Sequence, residues 1–228
     1  RRTISVYADM TTIAILPIKS LDAAKQRLRD ELDPAPRRAL AEAMFSDVLV
    51  ALRRATLIDQ VLVVSKDHGV QRIAGGYGAM VADDEDDGHN AAAAHGIARA
   101  RQLGMDRALL VPGDCPLLNP AELDELLGVR VPTPSALIVP DRHGTGTNAL
   151  LLTPPDALAP SFGPGSHERH RQDAAEAGIS GRTVEVPSLA LDIDTPEDLA
   201  AVEAALGETH GGAAHTRGML RQLSRSRG

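Results

Sequence analysis

Three short runs, Thr12-Ile-Ala-Ile-Leu-Pro-Ile18, Gln60-Val-Leu-Val-Val-Ser65 and Arg107-Ala-Leu-Leu-Val111, are almost continuously apolar and rich in branched side chains. A strand with one wet face alternates polar and apolar residues; one that is apolar throughout is buried on both faces, which requires helices on two sides of the sheet. Helical patterns fall between these runs. Leu40, Met44, Val48 and Leu52 recur every four residues after Asp33-Pro34, a short helical stretch ends at Gly75-Gly76, and an Ala-rich helix runs from about Asn90 to Leu103. Another helix covers Pro120 to Leu127 after an Asn119 cap. This alternation predicts an α/β chain with right-handed crossovers in a mostly parallel sheet.

Past Gly128 the rhythm changes, so the sheet is expected to be mixed. Strands are predicted at 135–140 and 147–152, joined by Asp141-Arg-His-Gly-Thr-Gly146, and near 182–186 and 189–193; helices are predicted from about His167 to Ala177 and from Thr195 to about Leu206. A length of 228 residues suits one core. The organisation expected is a single domain over 12–206, an N-terminal extension over 1–11, and a disordered basic tail over 207–228, where four arginines face one glutamate and apolar residues are few. Residues 1–9 precede Met10-Thr-Thr, which can itself be a start, so they read either as an upstream extension or as an addition.

Composition narrows the function. A net charge of −7, two Tyr, two Phe and no Trp argue against nucleic acid, which needs a basic surface and rings for stacking. No apolar stretch reaches the roughly 18 residues of a membrane span, and Arg1-Arg2 is not followed by a signal-peptide core. One cysteine, Cys115, permits no internal disulfide, so a cytoplasmic setting is expected and Cys115 reads as packing.

Ligands of open parallel sheets bind beyond the carboxyl ends of the strands. After the first strand stand Lys19, Lys25 and Arg27, where an anionic ligand such as a polyphosphate would sit, although neither a Walker loop nor a Gly-x-Gly-x-x-Gly turn is present. After the 107–111 strand, Pro112-Gly-Asp114-Cys-Pro116 releases an aspartate into the crevice; it reads equally as a turn former. Asp192 and Asp194, two apart on a predicted strand, face one side, though Asp194 also reads as a helix cap.

Together Asp114, Asp192 and Asp194 make an oxygen-only set suited to Mg²⁺, with Lys19, Lys25 and Arg27 holding charge on the other side. Such an arrangement serves phosphoryl or nucleotidyl transfer. The glycines between Asp141 and Asn148 would let backbone N–H groups converge on a small anion, and Ser166 would cap the helix after Gly163-Pro-Gly165. Asn90, after Gly88-His89, either borders the nucleotide or caps its helix. The acidic run 83–87 reads as a solvated loop, and His167 and His170 as surface or anion-contacting groups.

Pro17-Ile-Lys19 with Ala24-Lys25-Gln-Arg27-Leu28, Pro112-Gly-Asp114-Cys-Pro116, Pro140-Asp-Arg-His-Gly-Thr-Gly-Thr-Asn-Ala149, Phe162-Gly-Pro-Gly-Ser166 with His170, and Leu191-Asp-Ile-Asp-Thr-Pro196 together resemble the CofC/FbiD family over about residues 12–206. These are the guanylyltransferases of deazaflavin coenzyme F-420 biosynthesis. The resemblance implies a single α/β/α domain similar to the nucleotide-diphospho-sugar transferases, of GT-A type. It implies transfer of GMP from GTP to a phospho-acid with release of pyrophosphate. Phosphoenolpyruvate is the expected acceptor, and 2-phospho-L-lactate and 3-phospho-D-glycerate are the alternatives. It also implies Asp114, Asp192 and Asp194 as metal ligands and catalytic groups, and Thr147, Gly163 and Ser166 at the phospho-acid. Lys19, Lys25, Arg27 and Asn90 are inferred to lie at the nucleotide, Lys25 also in catalysis. His89 departs from the apolar residue expected there. A labile enolpyruvyl-diphospho-guanosine product would favour hand-over to the next enzyme. Competing readings are a nucleotidyltransferase for another acceptor, such as a molybdopterin or sugar phosphate, and a silent nucleotide-binding regulator.

Overall fold

A computed structural model describes residues 10–21, 25–84, 88–208 and 211–226. The expected extension therefore lies mostly outside the described residues, as do residues 85–87 of the acidic run and 22–24 of the basic turn.

The strands are β1 (Thr12–Pro17), β2 (Gln60–Val64), β3 (Met80–Ala82), β4 (Arg107–Leu110), β5 (Ser135–Pro140), β6 (Thr147–Thr153) and β7 (Ser180–Thr183). They form one sheet in the order β3-β2-β1-β4-β6-β5-β7. β1 pairs parallel with β2 (Leu16 opposite Val63) and with β4 (Ile15 opposite Leu110), while β6 runs antiparallel to both β4 and β5. The sheet is thus parallel in its first half and mixed in its second, as the change of rhythm after Gly128 predicts.

The helices are α1 (Pro34–Arg54), α2 (His68–Gly76), α3 (His89–Gln102), α4 (Pro120–Leu127), α5 (Ser166–Glu176), α6 (Pro196–Glu208) and α7 (Ala214–Ser226). β1 shows why its residues are apolar throughout. Ala14 and Leu16 point into one core with Leu40, Met44, Val48 and Leu52 of α1, while Ile13 and Ile15 point into the other with Ala92, Ala93 and Ile97 of α3. Two helical layers enclose the sheet.

Three expectations need correction. The strand predicted near 182–186 is β7, two residues earlier, and no strand forms at 189–193; a 3-10 turn at Pro187–Leu189 leads instead into irregular chain up to α6. β3, three apolar residues at the sheet edge, is a strand that the periodicity reading does not include, its run being too short to stand out. The segment expected as a disordered tail, of which residues 209–210 and 227–228 lie outside the described residues, instead carries a helix over 214–226, α7, which packs on α1. Its low mean hydropathy hides a stripe, Met219, Leu220 and Leu223, that joins the α1 core. The buried Asp47 carboxylate of α1 accepts the N–H groups of His215 (3.1 Å) and Thr216 (2.8 Å), so a partner remote in sequence satisfies the first amides of α7.

Candidate active site

The order of the sheet reverses direction of growth between β1 and β4, and the chain segments leaving their carboxyl ends splay apart into a crevice. On the β1 side, Asp67 at the start of α2 accepts the Ser20 hydroxyl (3.0 Å) and the Leu21 amide (3.3 Å), fixing the Lys19-Ser20 turn. Its hydrogen bonds, with Gly69 first, outweigh burial and hold its carboxyl below the ordinary pKa. On the β4 side, Gly113 lets the turn close: a Cβ there would lie 2.5 Å from Ile18 Cδ1.

Asp192 and Asp194 reach the same place without a strand. Between them Ile193 is fully buried, and its amide donates to the Asp114 carbonyl (3.3 Å), so its neighbours turn outward together towards Asp114. Carboxylate oxygens of Asp114, Asp192 and Asp194 lie within 4.8 Å of one another. Asp194 is not the cap of α6. Thr195 and Asp198 form a reciprocal capping box, Thr195 Oγ1 accepting the Asp198 amide (3.3 Å) and Asp198 Oδ2 accepting the Thr195 amide (2.8 Å). Asp194 is thereby left for the cluster.

Lys25 is the largest departure from expectation. Rather than holding charge on the other side, its ammonium is bonded to Asp114 and, at 3.0 Å, to Asp194. The side chain is only 6% exposed, and its backbone is left-handed (φ 57°), uncommon outside glycine. Burial alone would lower its pKa, but the charges and hydrogen bonds of Asp114 and Asp194 raise it above the ordinary value. Arg27 stands farther out, 3.9 Å from Asp194, and Lys19 is exposed. Lys19 lines, with His89, Gly113 and Asp114, a cavity of about 200 Å³. Larger cavities of about 490 Å³ lie away from the carboxylates, so size does not mark the site.

The donor set fits a hard divalent cation. It is all oxygen, it concentrates like charges, and it draws in an ammonium as counter-ion. Burial and then the Asp114 charge push the Asp192 pKa up against the opposing hydrogen bond from Asn148, a penalty that a cation would relieve. Cys115, beneath the cluster, is fully buried, and burial pushes its thiol pKa well up, which suits packing rather than nucleophilic attack.

The second half of the site is built differently. Backbone amides between Asp141 and Thr147 do converge, but on the Asp141 carboxylate itself, which accepts His143 N (3.1 Å), Thr145 N (2.9 Å) and Gly146 N (3.0 Å). The loop is therefore filled by its own anion. Beside it, Thr147 and Ser166 meet, the Thr147 amide donating to Ser166 Oγ (2.9 Å). Ser166 does not cap α5; it is the first helical residue, preceded by left-handed Gly165 (φ 71°). Gly163 turns the same loop at φ 124°. Asn90 neither caps α3 nor offers a free amide: its side chain makes two hydrogen bonds with the Phe162 backbone (2.8 and 3.1 Å), holding the loop that carries Gly163 and Ser166.

Sequence reasoning missed several supporting groups. His170 is not a surface group but fully buried, bonded to Thr147 Oγ1 (2.9 Å) and Ser161 N (3.0 Å). Arg142 reaches Asp198 Oδ1 at 2.5 Å and its amide donates to the Ala190 carbonyl (3.0 Å), joining the Asp141 loop to the carboxylate segment. Asn148 Nδ2 bonds Asp192 Oδ1 (3.1 Å) and completes the link. The Thr195–Asp198 spacing was a readable signal; the burial of His170 had none. A cavity of about 50 Å³ bordered by Pro17, Pro112, Thr147 and Asn148 makes the two halves one crevice.

The family model for guanylyl transferases of the CofC type matches residues 12–226. The chain belongs to the CofC family. It is 53% identical to a phosphoenolpyruvate guanylyltransferase of Conexibacter woesei over 95% of this chain and 98% of that one. It is 46% identical to one of Rubrobacter xylanophilus, over 87% and 96%, and 35% identical to a 3-phospho-D-glycerate guanylyltransferase of Colwellia psychrerythraea, over 83% and 90%. Among solved structures, a nucleotide-diphospho-sugar transferase of Desulfovibrio desulfuricans G20 superposes with a TM-score of 0.76 at 16% identity, covering 95% of this chain and 96% of that one. A nucleotidyl transferase of Methanothermobacter superposes at 0.64 and 17% identity, over 88% and 99%. At those identities the structures establish the fold, and the expected α/β architecture of this CofC chain agrees with them. The match to residue 226 also takes in α7, which the expected domain boundary at 206 left out.

Proposed function

We propose that this guanylyltransferase uses GTP and phosphoenolpyruvate, with Mg²⁺ held by Asp114, Asp192 and Asp194, and that the carboxylate half of the crevice takes the nucleotide while the hydroxyl half takes the phospho-acid. The observation that carries the reading is the junction of a three-carboxylate cluster with a hydroxyl pair in one crevice, in a chain 53% identical to a phosphoenolpyruvate guanylyltransferase. Bound there, the ion would neutralise the triphosphate and polarise the α-phosphorus. Lys19 and Arg27 supply further positive charge at the carboxyl end of β1, and Lys25, freed from its aspartates, would follow the phosphate charge. Thr147, Ser166 and the turn at Gly163 hold the acceptor.

An acceptor phosphate oxygen attacks the α-phosphorus of GTP, the bond from that phosphorus to the bridging oxygen of the β-phosphate breaks, and pyrophosphate leaves with the electron pair. The product is enolpyruvyl-diphospho-5′-guanosine. In this reading Asn90 serves the acceptor side, through the Phe162 loop. The relative from Colwellia keeps 3-phospho-D-glycerate as the second reading. Pyrophosphate release is to be measured with GTP and Mg²⁺ plus phosphoenolpyruvate, 2-phospho-L-lactate, 3-phospho-D-glycerate or no acceptor, with ATP and CTP as controls. Release with GTP and phosphoenolpyruvate is expected. A clear preference for another acceptor overturns the substrate assignment, and GTP binding without any release overturns the enzyme.

A further inference from the structure

The Ser161 backbone N–H can only donate, and His170 Nε2, 3.0 Å away, is its acceptor. Nε2 therefore carries no proton. Burial holds the imidazole pKa down to about 4, so the ring is neutral near pH 7 and its proton sits on Nδ1. Nδ1 lies 2.9 Å from Thr147 Oγ1, which must accept. The Thr147 hydroxyl proton is then left to point elsewhere, and among the described residues no acceptor takes it.

The same logic applies next door. Ser166 Oγ accepts the Thr147 amide, and its own proton likewise meets no acceptor among the described residues. The Phe162 ring covers His170 edge-on, with centroids 5.2 Å apart, and the imidazole is fully buried, so its hydrogen bonds are closed to solvent.

We infer that His170 is a positioning residue that fixes the Thr147 hydroxyl as a hydrogen-bond donor towards the acceptor substrate, through the relay Ser161 N–H to Nε2 and Nδ1–H to Oγ1. Two hydroxyls held as donors favour ligand groups that only accept, namely phosphate and carboxylate oxygens. The inference rests on the proposed acceptor half of the crevice and adds what gives that half its polarity.

The first test needs no substrate. In protein labelled with ¹⁵N-histidine at pH 7, His170 is expected to show a pyrrole-type Nδ1 and a pyridine-type Nε2. The opposite tautomer, or an imidazolium, overturns the relay. The second test uses variants. His170→Asn places an amide N–H near the Nδ1 position and should keep KM for phosphoenolpyruvate within about threefold, whereas His170→Leu and His170→Gln should raise it about tenfold to a hundredfold, the worth of one hydrogen bond to a charged group. KM for GTP should change less than about threefold in all three. Equal losses in the three variants, or losses shared by GTP, mean a purely structural role and overturn the inference. If no phospho-acid proves to be a substrate, the acceptor reading falls, and the tautomer measurement still decides the relay.

Discussion

The two halves of the crevice are built on opposite physics. The carboxylate half gathers three like charges at the rim of the sheet, leaves Asp114 27% and Asp194 48% exposed, and balances them with a single buried ammonium. The hydroxyl half is buried and presents no charged group of its own at Thr147 and Ser166. Thr147, Ser166 and His170 are buried, both ring nitrogens of His170 are engaged, and the one carboxylate in the neighbouring loop, Asp141, already accepts backbone amides. A site of the first kind changes when a cation enters, because its counter-ion must move. One of the second kind is organised before any ligand arrives. The contrast suits the proposed reaction, in which a highly charged nucleotide with its cation would meet a small anion that needs orientation more than neutralisation.

Substitutions should separate the halves. The largest effect is expected at the carboxylates: Asp192→Asn should lower kcat about a hundredfold to a thousandfold, judged by pyrophosphate release, with the melting temperature within a few degrees of wild type. Near-normal turnover would remove the metal assignment. Lys25→Met comes next. It removes the buried counter-ion of Asp114 and Asp194, leaving Asp194 only the more distant Arg27, and because both carboxylates are partly exposed the cost should be about 1–2 kcal/mol, below that of a fully buried broken pair. The rise in melting temperature on adding Mg²⁺ should be larger in this variant than in wild type. An unchanged response would mean that Lys25 and the ion do not compete for the same oxygens.

A smaller effect is expected at the brace between the halves. Burial disfavours the charged Asp198, but hydrogen bonds from Thr195 and Asp194 and the Arg142 guanidinium outweigh it and lower its pKa. A carboxylate so depressed stabilises the fold above the unfolded pKa, about 4, and that stability is lost as pH falls through the lower folded value. Asp198→Asn should therefore cost about 1 kcal/mol at pH 7 and flatten the acid limb of a stability profile. An unaltered acid limb would place the titration elsewhere. Least affected should be turnover in Asp47→Ala, which releases the N-terminus of α7, whose His215 and Thr216 amides donate to that carboxylate: about 1–2 kcal/mol of stability is lost, with kcat within about twofold.

What could be read from the sequence follows the same division. The parallel half is announced by strands apolar on both faces, and Asp114, Asp192 and Asp194 by their places after buried segments, since local pattern alone fixes them. The pairing of Asp192 with Asp194 held even though the expected strand does not form, because burial of Ile193 imposes the same alternation. Interactions that close over long separations left no trace. Lys25 and Asp114 are 89 residues apart, Thr147 and His170 are 23 apart, and Asp47 meets Thr216 across 169 residues. The amides of the Asp141 loop were visible as a convergence, but the anion they serve was decided by a rotamer.

Steady-state kinetics of Thr147→Val, with GTP and phosphoenolpyruvate varied separately, tests the division most directly. The variant keeps the shape of the side chain and removes its hydroxyl. KM for phosphoenolpyruvate should rise about tenfold to a hundredfold, while KM for GTP stays within about twofold. A rise confined to GTP, or an equal rise for both substrates, would contradict the assignment of the hydroxyl half to the acceptor.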